Sequence, residues 1–322
     1  MKQKIVFRAD AGQNIGYGHF IRSMALADML KDDFDVSFAT VNPTDYQKNE
    51  LSNICPFVSL NSETHFEDFL SMLQANEIVV LDNYFFTTDY QREIKTKRCK
   101  LVCIDDMHDK HYVADIVINH GIDNPALFSV EPYTRLCLGL EWALLRKPFL
   151  EASLKNRNKK HRNVIENVVV SFGGVDSYHL TDRIINMLLS EPDVLQIDAI
   201  AGKAYHSQIE NNTGKSIVFH RAISAQEVAS LFSNCDLAVL SASTVCLEAL
   251  ACGSRVAAGH YVNNQKEFYE YLKTNRFIYG LDSLSNMHSF DIHNINFRET
   301  NTPPSVCCNT SLYIEYFKTL NI

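Results

Sequence analysis

Four consecutive aliphatic residues, Ile78-Val79-Val80-Leu81, admit few placements in a globular fold. A strand that is apolar at every position, not only at alternate ones, has both faces buried, and this happens chiefly in parallel sheets covered by helices on each side. Related runs recur through the first half of the chain: Lys4–Arg8, Asp35–Ala39, Leu101–Ile104 and Ile116–Ile118 read as further strands. Between them, Gly18–Leu30, Glu67–Gln74 and Asp89–Lys97 read as helices. In the first of these, Ile21, Met24, Ala25, Ala27 and Leu30 follow helical spacing and share a face.

A polar stretch rich in Lys, Arg and Asn, Glu151 to Arg162, interrupts this alternation and has no strand signal. The pattern then restarts. Strands are expected at Val168–Phe172, Ile197–Ile200, Ile217–Phe219, Leu237–Leu240 and Arg255–Ala258, with helices at Leu180–Ser190, Ala225–Ser233 and Val245–Ala251. Two consecutive βαβ series imply an α/β protein of two doubly wound, Rossmann-type domains. The expected division is residues 1–150, a linker over 151–163, and a second domain over 164–322. Folds of this kind bind ligands at the carboxyl ends of their strands, so two facing domains predict an interdomain cleft. After Gly280 the pattern degrades; Asp282–Pro304 reads as irregular and Ser311–Leu320 as a final amphipathic helix.

Charge excludes one class of partner. The formal net charge of −8 is the opposite of a nucleic-acid footprint, which needs clustered Lys and Arg. The one basic run, Lys155 to Arg162, reads as a solvated connector. Lys2 and Lys4 precede only Ile5-Val6-Phe7, too short for the apolar core of a signal peptide. No stretch reaches the roughly 20 apolar residues of a membrane helix. The expectation is a cytoplasmic protein without membrane insertion. Nine cysteines, without metal-knuckle or disulfide-framework spacing, read as reduced structural thiols.

The loop after the first strand, Arg8-Ala9-Asp10-Ala11-Gly12-Gln13-Asn14-Ile15-Gly16-Tyr17-Gly18-His19, leads straight into a helix. Gly16 and Gly18 permit close backbone approach, and the helix N-terminus offers free N–H groups to an anion. No third glycine stands in dinucleotide register, and the Gly-Lys-Ser/Thr of a phosphate loop is absent. His19 sits at the expected cleft mouth. There it can take a proton from water near neutral pH, or simply cap and pack the helix. Asp10 can orient a substrate hydroxyl or His19, or cap the loop. Arg22, one turn into the helix, reads as an ion-pair partner.

In the second series, Gly173-Gly174 before a helix is either a phosphate cradle or an ordinary strand-to-helix turn. Ser241-Ala242-Ser243-Thr244 places small hydroxyl residues at a helix start. Glu248, one turn further, can accept hydrogen bonds from ribose hydroxyls or act as a capping glutamate. Tyr261-Val262-Asn263-Asn264-Gln265 is a polar loop able to meet a pyrophosphate or a sugar, or to cap the next helix. Asp105-Asp106 are adjacent carboxylates at a strand end; they face different ways, so they read as structural or sugar-contacting and no metal site is expected from them.

In their order and spacing these segments resemble the UDP-2,4-diacetamido-2,4,6-trideoxy-β-L-altropyranose hydrolase family of pseudaminic acid biosynthesis. The resemblance covers most of residues 4–280. It rests on Phe7-Arg8-Ala9-Asp10, Ile15-Gly16-Tyr17-Gly18-His19-x-x-Arg22, Leu81-Asp82-Asn83-Tyr84 and Ile104-Asp105-Asp106. It continues in Leu138-Gly139-x-x-Trp142-Ala143-Leu144-Leu145-Arg146-x-x-Phe149, Phe172-Gly173-Gly174-x-Asp176, Ser241-Ala242-Ser243-Thr244 with Glu248-Ala249, and Asn264-Gln265. Asp282 onward matches no family segment.

The resemblance implies a GT-B-like fold, similar to the glycosyltransferase of the peptidoglycan lipid precursor. It implies hydrolysis of the UDP-sugar with inversion at the anomeric carbon, without cofactor or metal. His19 matches the residue that positions or activates water, and Tyr84 an active-site tyrosine near the sugar. Ser243, Thr244, Glu248, Asn264 and Gln265 match the nucleotide and sugar side. Asp10, Gly16, Tyr17, Gly18, Gly173 and Gly174 complete the expected substrate-binding set. The family usually has His before this tyrosine and Gly after it, where this chain has Asn83 and Phe85. A related UDP-diacetamido-sugar hydrolase and a GT-B glycosyltransferase are therefore the alternatives.

Overall fold

The computed structural model describes residues 2–12, 15–156, 159–173, 176, 178–202, 205–289, 292, 295 and 310–321. The chain divides into two compact units: Met1–Lys147 with Cys308–Ile322, and Pro148–Cys307.

In the first unit the elements run β1 (Lys4–Ala9), α1 (Gly18–Leu30), β2 (Asp35–Val41), α2 (Asp45–Ser52), β3 (Phe57–Leu60), α3 (His65–Met72), β4 (Ile78–Asp82), α4 (Thr88–Thr96) and β5 (Lys100–Ile104). After them come β6 (His111–Tyr112), β7 (Ile116–Asn119), β8 (Ser129–Val130) and β9 (Arg135–Leu138). Seven strands form one sheet in the order β3-β2-β1-β4-β5-β7-β9, and each pairing is parallel. The order reverses between β1 and β4, the switch point of a doubly wound sheet. β4 is buried at every position, as its unbroken aliphatic run requires.

The second unit begins within α5 (Lys147–Asn156) and contains β10 (Asn167–Ser171), α6 (Leu180–Leu189), β11 (Gln196–Ala201), β12 (Ser216–Arg221), α7 (Ala225–Asn234), β13 (Leu237–Ser241), α8 (Thr244–Ala251), β14 (Val256–His260), α9 (Lys266–Thr274) and β15 (Tyr279–Ser283). Its sheet, β12-β11-β10-β13-β14-β15, is parallel throughout and repeats the same logic, with its switch point between β10 and β13. Val168, Val170 and Phe172 pack with Ile184, Leu188 and Leu237 in its core.

Three differences from the sequence expectation have identifiable causes. First, Glu151–Asn156 is helical, where 151–163 was expected to be linker. Phe149, Ala152 and Ser153 supply a buried i, i+3, i+4 face inside a segment whose Lys, Glu and Asn content hides it. Second, the last helix, α10 (Thr310–Lys318), belongs to the first unit: the boundary 164–322 counts it with the second domain as a tail, while the family resemblance implies that it crosses back onto the first. It packs on α1. Tyr313 donates its hydroxyl hydrogen to the Trp142 carbonyl at 2.7 Å, and Phe317 meets Phe34 edge to face. This explains why α1 is buried on nearly every side and not along one stripe. Third, β15 continues through Asp282 and Ser283, past the point where irregular structure was expected. Residues 290–291, 293–294 and 296–304 of that expected irregular stretch lie outside the described residues.

The edge strands β3 and β9 were also not foreseen. Strands at a sheet edge bury less and lack the continuous apolar signal of the centre. The seven described cysteines are free and buried. No helix among the described residues is long and apolar enough to cross a membrane.

Candidate active site

The carboxyl edge of the first sheet brings together side chains from four chain segments. β1 and β4 are register neighbours, with Ala9 level with Asp82. α1 rises from the loop after β1 and sets His19 and Arg22 one turn apart above the end of β4. The Asp82 carboxylate, completely buried, is the hub. Its Oδ1 lies 2.7 Å from His19 Nδ1 and accepts from Arg22 Nη2 at 2.6 Å. Its Oδ2 accepts from Arg22 Nε at 2.6 Å and from Ser23 Oγ at 3.0 Å.

A carboxylate only accepts hydrogen bonds, so the proton of a neutral His19 is assigned to Nδ1 and the lone pair to Nε2. Arg22 Nη2 also lies 3.1 Å from His19 Nδ1. Nδ1 has no lone pair to offer it in that tautomer, and the shorter contact to Asp82 decides the assignment.

Arg22 reaches a second carboxylate. Its Nη1 donates to Asp106 Oδ2 at 3.0 Å, and the Tyr84 hydroxyl donates to the same oxygen at 3.2 Å. The Tyr84 ring stands edge-on to the His19 ring, 4.5 Å between centroids. Burial by itself would raise the Asp82 carboxyl, but Arg22 and His19 outweigh it and hold Asp82 at about 2. Asp106 is likewise pushed up by burial and drawn, on balance, below its ordinary value by Arg22. Burial works against the Arg22 charge, and Asp106 and Asp82 together keep the guanidinium firmly protonated. His120, just past β7, is buried, and burial followed by repulsion from Arg22 pushes it down to about 4.

The structure places His19, Tyr84 and Arg22 side by side, and Arg22 is ion-paired. Asp82, not Asp10, holds His19. The Asp10 carboxylate is committed elsewhere, taking a two-pronged grip from Arg8 and single bonds from Thr40 Oγ1 and the Val41 N–H. It ties the ends of β1 and β2 together.

Gly16 has φ +72° and exchanges two backbone hydrogen bonds with Gly12, which closes the loop on itself. Tyr17 is the exposed N-cap of α1, and Gly18 is the first helical residue. Asn83 Oδ1 accepts from the Asp10 N–H at 2.8 Å. Phe85 packs against Phe66 and Phe86 beside the site. Asp105 turns away from Asp106 to accept the Met107 and His108 N–H groups.

Asp82, Asp106 and His120 had no catalytic role in the sequence reading. The available signal was positional: each polar residue closes or follows a strand that is otherwise buried and apolar, at the edge where doubly wound sheets bind ligands.

The second unit presents its own set at the equivalent edge. Gly173, with φ +87°, follows β10, and its neighbour Phe172 accepts a hydrogen bond from Tyr261 Oη at 3.1 Å. Gly174 lies outside the described residues. Ser243 caps α8 by position but makes no side-chain capping bond; its Oγ is 3.3 Å from Ser241 Oγ. Thr244 opens the helix, and Glu248 is buried one turn on. Asn264 and Gln265 lie in a tight 3-10 turn after β14, where Gln265 Oε1 accepts the Tyr261 N–H at 3.1 Å. Ser243, Thr244 and Glu248 are thus brought together on one helix.

No protein-family profile matches the chain. Over 271 residues, 82% of this chain and 93% of the relative, it is 25% identical to UDP-2,4-diacetamido-2,4,6-trideoxy-β-L-altropyranose hydrolase of Campylobacter jejuni. It is 24% identical over 284 residues to an uncharacterized protein of Methanocaldococcus jannaschii. That match takes in 84% of this chain but only 58% of the relative's length. Among solved structures it resembles MurG of Acinetobacter baumannii, with a TM-score of 0.64 at 11% identity, covering 98% of this chain and 99% of that one. It also resembles UGT89C1 of Arabidopsis thaliana, with a TM-score of 0.65 at 10% identity over the whole of both chains. The fold is therefore that of the GT-B glycosyltransferases.

Proposed function

We propose that this protein hydrolyses a UDP-linked sugar, with UDP-2,4-diacetamido-2,4,6-trideoxy-β-L-altropyranose as the substrate. The observation that carries the reading is the Asp82–His19 pair at the switch point of the first sheet. The similarity to the Campylobacter jejuni hydrolase, over nearly that protein's whole length, supports the choice of reaction and sugar.

In this reading His19 is the general base. Asp82 accepts the Nδ1 hydrogen and leaves Nε2 to take a proton from water as the water oxygen bonds to the anomeric carbon. The anomeric C–O bond breaks, its electron pair leaves with UDP, and the sugar is released with inverted configuration. Asp82 also stabilises the imidazolium that forms, as the carboxylate of an Asp–His pair does. Tyr84, held by Asp106, stands beside His19 on the sugar side.

The second unit carries, at its own sheet edge, groups of the kind that suit a nucleotide. Uncapped N–H groups at the start of α8, with Ser243 and Thr244, suit the diphosphate, and Glu248 suits the ribose hydroxyls. The reaction needs no metal in this scheme, because charge on the leaving diphosphate is met by helix N–H groups and hydroxyls.

Proton NMR of the protein with this UDP-sugar and EDTA, beside His19→Ala, tests the reading. Release of UDP and free sugar by the wild type is expected, with the variant slowed by roughly 100-fold or more. An intact UDP-sugar in the wild-type sample would reject hydrolysis. Consumption only after an acceptor is added would favour a glycosyltransferase, the activity of the proteins that share its fold.

A further inference from the structure

Arg22 is shared between two carboxylates, and the sharing has an electrostatic consequence. It gives Nε and Nη2 to Asp82 and Nη1 to Asp106. With Asp82 alone, the guanidinium would cancel the single negative charge available to a protonated His19. A cation would then face a cation across the 3.1 Å between Arg22 Nη2 and His19 Nδ1. Two carboxylates against one guanidinium leave one negative charge. The imidazolium formed when His19 takes a proton brings that cluster to neutrality.

Among the described residues no other charged side chain is hydrogen-bonded to Arg22 or His19. His120 is buried, its Nδ1 has no hydrogen-bond partner among the described residues, and burial with repulsion from Arg22 disfavours its charged form. Tyr84 is a neutral phenol. Lys110 lies behind it, donating to the Tyr84 carbonyl at 3.0 Å and paired with Asp109 at 3.2 Å. Asp105 is a third carboxylate near Arg22, but burial raises it above its ordinary value and disfavours its charge, and its hydrogen bonds go to the Met107 and His108 N–H groups. Arg8 and Asp10 form a pair that cancels internally. Ser23, the other partner of Asp82, is uncharged.

We propose that Asp106 is a positioning residue of this site: acting through Arg22, its carboxylate supplies the negative charge that lets His19 hold a proton, while the same oxygen fixes the Tyr84 hydroxyl. The charge assignment concerns the free protein. Only the source of the proton, a water attacking a sugar, rests on the hydrolase reading. Asp106 touches neither that water nor the anomeric carbon in this scheme, so its removal should lower kcat and leave KM in place.

The test is a titration of the His19 ring by NMR on histidine-labelled protein without substrate, with His19→Gln identifying the signal. The wild type is compared with Asp106→Asn, which keeps the shape and removes the charge, and with Tyr84→Phe, which removes only the tyrosine bond. The titration midpoint of His19 is expected to fall by about 1 pH unit or more in Asp106→Asn, the scale of one lost neighbouring charge, and to stay in place in Tyr84→Phe. Asp106→Ser, also uncharged, serves as a second variant if the first does not fold, and the same fall is required of it. A midpoint common to the wild type and a folded uncharged variant overturns the proposal, because a merely structural role would not move it. If the midpoint falls while the wild type turns over no UDP-sugar, the hydrolase reading fails and the charge assignment stands.

Discussion

His19 Nδ1 and Asp82 Oδ1 lie 2.7 Å apart although 63 positions separate the two residues in the chain. The distance is set by a parallel register that levels β1 with β4 and by a helix that leaves β1 directly over that register. Asp82→Asn should keep the shape and spoil the pair, since an amide can present a donor to Nδ1 and favour the wrong tautomer. A kcat loss of roughly 100-fold or more is expected with little change in KM. Steady-state kinetics of NMR-monitored hydrolysis checks it; unchanged kcat would remove Asp82 from the mechanism.

Acid should weaken the fold through His120. Its value drops from the ordinary 6.5 to about 4 in the folded protein. Between these limits the unfolded chain binds the proton and the folded one does not, so stability rises with pH across this window and is lost as pH falls from about 6.5 to about 4. The contribution is on the order of 3 kcal/mol. His120→Gln should flatten the stability profile relative to wild type in that range, which urea midpoints measured at several pH values would reveal. Parallel wild-type and variant profiles would contradict the assignment.

Asp82 acts in a lower window. Its folded value, about 2 against an ordinary 3.8, is depressed. Its stabilisation is therefore complete above about pH 4 and lost as pH falls through about 2. Asp82→Ala should remove this acid limb and also cost about 3–5 kcal/mol near neutrality, because Arg22 is left buried with its main partner gone. Chemical denaturation at pH 7 and pH 3 separates the two effects.

The docking of α10 depends on a few apolar groups. Phe317 is fully buried and meets Phe34 edge to face. Phe317→Ala should destabilise the first unit by about 3–5 kcal/mol and loosen the C-terminal helix. Mild proteolysis with mass spectrometry would detect early release of the residues after Cys308; an unchanged cleavage pattern would contradict this.

Nucleotide binding should divide from base chemistry. Glu248→Gln removes the charge that would accept the ribose hydroxyls and should weaken UDP affinity by about tenfold or more, the scale of one charged hydrogen bond. Calorimetric titration with UDP measures this, and His19→Ala should leave the same affinity unchanged. Equal UDP affinity in Glu248→Gln and wild type would assign Glu248 a purely structural role.

Much of the fold was legible because local rules and tertiary demands agree. Ile78-Val79-Val80-Leu81 is readable as a doubly buried strand since solvent is excluded from both its faces. Gly18–Leu30 is readable as a helix and has those bounds in the structure. The segment 151–156 was misread for the opposite reason: its surface composition dominates, and only three inward residues declare the helix. His19 and Tyr84 are both named from the sequence, but it leaves Asp10 open as an orienter of His19, an orienter of a substrate hydroxyl or a loop cap, and does not single out Asp82.

By itself the sequence determined the strand and helix periods, the two-fold repetition of the βαβ series, and the glycine-flanked entry to α1. All of these are local in the chain, because they follow from side-chain spacing and backbone freedom. Only the tertiary structure decided that Asp82 holds His19, that Asp10 is spent on Arg8, that Asp106 shares Arg22, and that α10 returns to the first unit. These are choices among equally plausible carboxylates and surfaces. A chain pattern does not encode which of them meet, since sheet register and burial select the partners.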